Sequence, residues 1–190
     1  MAKLYFRYGT VGSAKTLNLL AVAHNYEQQG KRALLMKPGL DDRFGRDNVR
    51  SRAGLERKAD VLLTHDTVFD RGIFEGVDCV LVDEAQFLSD SVIEQLRAIT
   101  NDLNVPVICY GLRSDFRTRL FEGSKRLLEL ADRIEEIKTT CAYCNKKGII
   151  NLKLVDGKPT VDGPSIELGT EEKYLPVCYR CYEKKIEGLG

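Results

Sequence analysis

No stretch of this 190-residue chain approaches the roughly 20 consecutive apolar residues that a bilayer-crossing helix needs. Charge of one sign is lacking too: 29 Lys and Arg stand against 28 Asp and Glu, a formal net charge of +1. The first absence argues against a membrane protein. The second removes the overall basic field of a nucleic-acid binder, although it leaves a local patch possible. The opening Met1-Ala2-Lys3 enters a strand-like segment without the apolar region of a signal peptide, so a cytoplasmic protein is expected. Histidine is scarce, and neither copy is expected to be catalytic. His24 sits among Ala23, Asn25 and Tyr26 on a helical stretch, and His65 follows a strand in Leu63-Thr64-His65-Asp66 with nothing requiring it. There is no internal repeat and no low-complexity tract.

What is present divides in two. Up to about residue 138, apolar strand signals at Lys3–Tyr8, Arg32–Lys37, Val61–Leu63, Cys79–Val82, Val105–Tyr110 and Ile134–Lys138 alternate with helical stretches at Thr16–Gln29, Ser91–Leu103 and Leu120–Ala131. Short buried strands separated by helices predict an α/β domain with a mostly parallel, doubly wound sheet. From Gly39 to about Gly54 the chain is polar and charged, which reads as a solvated loop or as a lid beside a binding site. Beyond Lys138 the alternation stops, giving expected units of 1–138 and 139–190.

The six cysteines fall into two groups. Cys79 and Cys109 lie inside apolar runs and are expected to be buried free thiols. Cys141, Cys144, Cys178 and Cys181 form two C-x-x-C pairs separated by 33 residues. Four thiolates with no histidine nearby suit a closed, tetrahedral, structural Zn²⁺ site, and two such pairs around one hairpin-like segment argue against a redox motif. Lys146-Lys147 and Lys184-Lys185 are expected to be solvated faces of this module.

Two further motifs carry chemistry. Gly9-Thr10-Val11-Gly12-Ser13-Ala14-Lys15-Thr16 follows the strand-like Leu4-Tyr5-Phe6-Arg7-Tyr8 and opens a helix. In that context a glycine-rich turn offers backbone N–H groups to phosphate oxygens, Lys15 a cation at the outer phosphates and Thr16 a hydroxyl for Mg²⁺. Ala14 stands where G-x-x-x-x-G-K-[ST] has its second glycine. If φ must be positive there, the Cβ costs roughly 1–2 kcal/mol. The second motif is Val80-Leu81-Val82-Asp83-Glu84-Ala85-Gln86-Phe87. A strand ending in Asp83 suits the Mg²⁺ shell of a phosphate loop, and Glu84 is placed to activate a hydroxyl or a water.

These motifs and the cysteine quartet, in this order and length, resemble the type II thymidine kinases over essentially the whole chain. Leu40-Asp41-Asp42-Arg43 resembles the Asp-x-Arg of that family, and Tyr110-Gly111-Leu112-Arg113-Ser114-Asp115-Phe116 continuing to Leu120-Phe121-Glu122-Gly123-Ser124 is similar to its bacterial members. The resemblance implies a RecA-like P-loop domain carrying a small C-terminal zinc ribbon, or lasso. It implies transfer of the γ-phosphoryl group of ATP to the 5′-hydroxyl of thymidine, with deoxyuridine a possible second acceptor, in pyrimidine deoxynucleotide salvage. ATP would lie on Gly9–Thr16, with Mg²⁺ held by Thr16 and, through water, by Asp83. Glu84 matches the general base, and Asp41 and Arg43 match residues near the 5′-hydroxyl and the transferring group. Phe87, Leu112, Phe121 and Tyr174 match walls around thymine, with residues from about 161 to 173 forming the loop over the base. A homotetramer, feedback inhibition by thymidine triphosphate, and no nucleic-acid or membrane partner are further expectations. Besides Ala14, Val11-Gly12 departs from the family, which has Met and a bulkier residue there. The rival reading is a nucleic-acid-dependent P-loop ATPase with a zinc ribbon. Asp83-Glu84-Ala85-Gln86 fits it, whereas the near-zero net charge and the lack of a second motor domain do not.

Overall fold

The computed structural model describes residues 1–39, 47–164 and 174–188. Asp41 and Arg43, and residues 165–173 of the expected base-covering loop, lie outside the described residues. The first half runs β1 (Leu4–Tyr8), α1 (Lys15–Gln28), β2 (Ala33–Pro38), β3 (Asn48–Arg50), β4 (Glu56–Lys58), β5 (Val61–Leu63) and β6 (Cys79–Val82). It continues through α2 (Asp90–Asp102), β7 (Val107–Gly111), α3 (Glu122–Leu130) and β8 (Arg133–Glu136). The remainder comprises β9 (Thr139–Thr140), β10 (Lys147–Gly148), β11 (Ile150–Val155), β12 (Lys158–Thr160), β13 (Tyr174–Val177) and α4 (Tyr179–Glu187).

Among the described residues six strands form one parallel sheet in the order β5-β2-β6-β7-β1-β8. Every strand and helix expected in this half is found, with ends within two residues. The apolar runs are continuous because both faces of the sheet are covered. Leu34, Met36, Val80, Val82, Val107 and Cys109 face α2 and α3 through Val92, Leu96, Ile99 and Leu127. Their neighbours Leu35, Cys79, Leu81, Ile108 and Tyr110 face α1 through Leu19, Leu20 and Ala23. The β1-to-β2 and β6-to-β7 crossovers travel in opposite directions along the sheet, so a common right hand puts α1 and α2 on opposite faces. Cys79 and Cys109 are fully buried, one in each layer. Burial pushes the Cys79 thiol up to about 11 and that of Cys109 further still, as suits inert structural thiols.

The polar segment after Gly39 is not wholly loop. β3 and β4 pair as an antiparallel hairpin, and Val49 is buried against Leu19 and Leu20 of α1. One buried apolar residue in two short charged strands gives no period-2 signal, which is why the hairpin was not legible.

After β8 the chain builds a smaller antiparallel unit. β9 pairs with β10, and β12-β11-β13 form a three-stranded sheet, with α4 lying against it. Among the described residues its buried core is small: Ile150, Leu152 and Val177 with Cys141 and Cys178. A core of that size needs help from a metal or from docking. The unit docks on the larger one: the Tyr182 hydroxyl donates to Phe116 O (2.8 Å) and Asn151 Oδ1 accepts from Val11 N–H (2.8 Å).

Candidate active site

β1, β7 and β6 are neighbours and parallel, so their carboxyl ends open at one edge of the sheet, where ligands bind in folds of this kind. The phosphate loop leaves β1, Gly111 and Leu112 leave β7, and Asp83 and Glu84 leave β6. Phosphate-loop residues, Glu84 and Leu112 line a cavity of about 270 Å³ there.

The loop's geometry explains its glycines. A Cβ on Gly9 would lie 2.3 Å from Ser13 Oγ and 2.6 Å from Ile137 O, so no side chain fits. Gly12 has φ +75°. Ala14 has φ 62° and ψ 28°, the left-handed conformation, so the alanine adopts the backbone a glycine would favour. Ala14 also occupies the N-cap of α1 and supplies no capping side chain, leaving the helix's first N–H groups to an outside acceptor such as a phosphate. Lys15 Nζ donates to Thr10 O at 2.7 Å and to Ser13 Oγ at 3.3 Å.

The Thr16 hydroxyl donates to Asp83 Oδ2 at 3.2 Å, and the Glu84 N–H donates to Asp83 Oδ1 at 3.0 Å. Burial first, and then the charge of adjacent Glu84, push the Asp83 carboxyl up to about 7. Such a site is short of positive charge. Oxygen donors from Thr16 and Asp83 suit a hard divalent cation, which would restore the carboxylate. Glu84 is held at φ 49° and ψ 37°, a strained conformation of the kind that clusters at functional sites.

Sequence reasoning passed over Gln86. Its Nε2 donates to Glu84 Oε2 while its Oε1 accepts from Leu112 N–H at 3.1 Å, and the two bonds together fix which way the amide points. Gln86 is 1% exposed, so this strap holds Glu84 against β7 with little freedom. It needs Gly111, where a Cβ would come within 2.6 Å of Gln86 Oε1, and Gly123, where one would meet Ala85 O at 2.3 Å. Asn151 was missed as well. It joins the phosphate loop to the C-terminal unit, and its Nδ2 donates to Ser114 O at 3.4 Å. Neither role has a sequence signal beyond residue type, because each depends on a partner far along the chain.

The structure brings the sequence-predicted aromatic wall to this cavity. Phe87, Leu112, Phe121 and Tyr174 line it together with Glu84, Ala14, Lys15 and Thr16. Phe87 and Phe121 meet edge to face, with centroids 5.7 Å apart and planes at 82°. Phe116 also lines the cavity, buried against Lys153, whose Nζ lies 4.8 Å from the ring centroid. His24 is exposed, and His65 is exposed beside Asp66 and does not line the cavity. Lys146, Lys147, Lys184 and Lys185 are exposed, as expected.

The four remaining cysteines converge. Their Sγ atoms all lie within 4.8 Å of one another, and those of Cys144 and Cys178 are 3.6 Å apart. Zn–S bonds of about 2.3 Å in a tetrahedron require S···S separations near ~3.8 Å. Burial disfavours the Cys141 thiolate, but N–H groups of Cys178, Tyr143 and Cys144 outweigh it and lower its pKa to about 6. Cys181 is pushed up to about 12, by Cys178 first and then by burial. Crowded thiols cannot all ionise without a cation at their centre. The donor set therefore fits zinc, which would be held where β9–β10 and the start of α4 meet, away from the cavity.

Fold and site together define a P-loop α/β protein of the nucleotide-binding class. A family model described as thymidine kinase matches residues 2–182. A thymidine kinase of Lactococcus lactis is 48% identical over 186 residues, covering 97% of this chain and 98% of that protein. One from Streptococcus pyogenes serotype M3 is 47% identical over 185 residues, covering 96% and 97%. One from Streptococcus gordonii is 46% identical over 187 residues, covering 97% of each. Among solved structures, the Pif1 helicase from Candida albicans is similar with a TM-score of 0.42 and 12% identity, covering 72% of this chain and 36% of that one, a likeness too low to bear on activity. The chain belongs to the thymidine kinase family.

Proposed function

We propose that this protein transfers the γ-phosphoryl group of ATP to the 5′-hydroxyl of thymidine, with Glu84 as the base. The observation that supports this reading is the strapped Glu84 lining one cavity together with the phosphate loop and the apolar residues Phe87, Leu112, Phe121 and Tyr174. In the transfer, the 5′-oxygen forms a bond to the γ-phosphorus as the bond to the β–γ bridging oxygen breaks. The hydroxyl proton passes to the Glu84 carboxylate, and ADP leaves with the bridging oxygen. Phosphoryl transfer needs positioning and charge neutralisation more than covalent help, and general-base assistance adds roughly 10²–10⁴-fold. Gln86 holds the base, Lys15 and the N–H groups at the start of α1 receive the phosphates, and Thr16 and, through water, Asp83 would hold Mg²⁺. Bound there, the metal would supply charge neutralisation at the phosphate oxygens. Thymine packs against Phe87, Leu112, Phe121 and Tyr174. Asp41 and Arg43 act near the 5′-hydroxyl, and the loop around 161–173 covers the base and excludes water.

In this reading residues 1–138 carry the phosphoryl-transfer machinery, and residues 139–190, organised by zinc on Cys141, Cys144, Cys178 and Cys181, carry the cover. The protein works in the cytoplasm as a homotetramer and is inhibited by thymidine triphosphate. Deoxyuridine is a second acceptor in this reading, and no nucleic-acid or membrane partner is involved. A nucleoside panel with γ-labelled ATP tests the reading, following label in the 5′-monophosphate. Thymidine should give labelled product, and DNA or RNA should not stimulate ATP use. Stimulation by nucleic acid without thymidine phosphorylation would establish the ATPase reading instead. Glu84→Gln should nearly abolish transfer while leaving ATP binding largely intact, and wild-type turnover in that variant would remove Glu84 as base.

A further inference from the structure

The β3–β4 hairpin is a braced structure that carries arginine to the phosphate loop. Val49 anchors it in the α1 layer, and buried Lys37 donates from β2 to Asn48 O at 3.1 Å. Arg57 donates to Ala33 O at 3.0 Å and lies 2.8 Å from Glu27 of α1, close enough for an ion pair though not aligned as a hydrogen bond. The turn is closed by Ser51, whose N–H donates to Leu55 O at 2.8 Å and whose Oγ accepts from Leu55 N–H at 3.1 Å. Braced from three sides, the turn presents Arg52 to the same cavity that Lys15 and Glu84 line.

Arg52 reaches the phosphate loop itself. A Cβ placed on Gly12 would lie 3.4 Å from Arg52 Nη1 and 3.9 Å from its Cζ. The guanidinium therefore sits over the loop's turn, while Lys15 Nζ is bonded to the loop at Thr10 O and Ser13 Oγ.

The geometry points to Arg52 as a further catalytic residue, an arginine supplied by the protein's own hairpin to the phosphoryl group in flight. The inference rests on the ATP-dependent transfer proposed above. As the bond to the 5′-oxygen forms and the bond to the β–γ bridging oxygen breaks, negative charge grows on the bridging oxygen of the departing ADP. A guanidinium over the loop meets that charge with a planar two-donor face, which an ammonium cannot reproduce. Because this charge is absent from bound ATP and develops on the way to the transition state, the contribution belongs in kcat rather than in affinity for ATP.

The test compares wild type, Arg52→Ala, Arg52→Lys and Glu84→Gln in the full-length zinc-loaded protein. It measures kcat and KM for both substrates, equilibrium ATP binding and thermal midpoints. Arg52→Ala should lose roughly 10²–10³-fold in kcat, the loss of one preorganised donor to developing charge, with ATP affinity within about five-fold of wild type and an unchanged melting midpoint. Arg52→Lys should recover only a small part of the loss. Added guanidinium at millimolar concentration should stimulate Arg52→Ala but not Glu84→Gln, a response that a purely structural role would not give. A kcat for Arg52→Ala within about three-fold of wild type overturns the proposal, as does a loss confined to KM. So does a lowered melting midpoint with no response to guanidinium, which would make Arg52 a support of the hairpin. If wild-type protein itself formed no labelled thymidine monophosphate, the transfer reading would fail. If Glu84→Gln lost activity while Arg52→Ala kept it, only the role of Arg52 would fail.

Discussion

Replacing Ala14 by glycine should stabilise this protein, although it deletes a methyl group and adds freedom to the unfolded chain. Ala14 sits at φ 62° and ψ 28°, where a Cβ crowds the following carbonyl at a cost of roughly 1–2 kcal/mol. Against this, glycine raises the entropy of the unfolded state by an equivalent of about 0.4–1 kcal/mol. Ala14 is also the N-cap of α1, a position where glycine is preferred to alanine, so the balance tips further the same way. The net gain should be on the order of 0.5–1 kcal/mol. For a chain of this size that corresponds to about 1–4 °C in melting midpoint. Urea titration of the zinc-loaded protein measures it directly: the midpoint should rise at constant slope. Ala14→Val at the same φ should move the midpoint the other way by more than about 1 kcal/mol, since a branched side chain tolerates this region less well than alanine. A lower or unchanged midpoint for Ala14→Gly would refute the strain argument. It would mean that the loop holds this conformation for reasons unconnected with the side chain.

Asp83 carries a pH signature in the protein without metal or nucleotide. Its carboxyl titrates at about 7 when folded against 3.8 ordinarily, so the folded state holds an extra proton between those values. Stability should therefore fall as pH rises through that window, by about 1 kcal/mol between pH 6 and 8. Asp83→Asn should remove that part of the slope in urea titrations, and an unchanged slope would mean that another group produces it. Cys144→Ser should release zinc, measured with a chromogenic chelator, and raise KM for thymidine more than KM for ATP. Equal losses for both substrates would point to general unfolding instead of a loosened cover.

The phosphate loop, Asp83-Glu84 and the cysteine quartet were legible because each is a short run whose function depends on neighbours along the chain. The parallel sheet was legible because apolar runs bounded by helical periods leave few arrangements that bury both faces. The β3–β4 hairpin was not, since its single buried anchor, Val49, sits among charged residues. Gln86 was visible only as part of a motif, because its role is defined by Leu112 on another strand's exit. Asn151 was invisible for the same reason, with Val11 lying 140 residues away.

By itself, then, the sequence determined which chemical groups exist and which local backbones present them: donors at a loop, a pair of acids after a strand, four thiols in two turns. Tertiary structure alone decided that the acids face the loop across an intervening strand and that Gln86 straps the base. It also decided that Ala14 takes a glycine's conformation and that Arg52 arrives over Gly12. Local order follows from sterics within a few residues, and those leave a periodic trace. Convergence of distant segments follows from burying the whole sheet at once, and no short stretch of sequence records that.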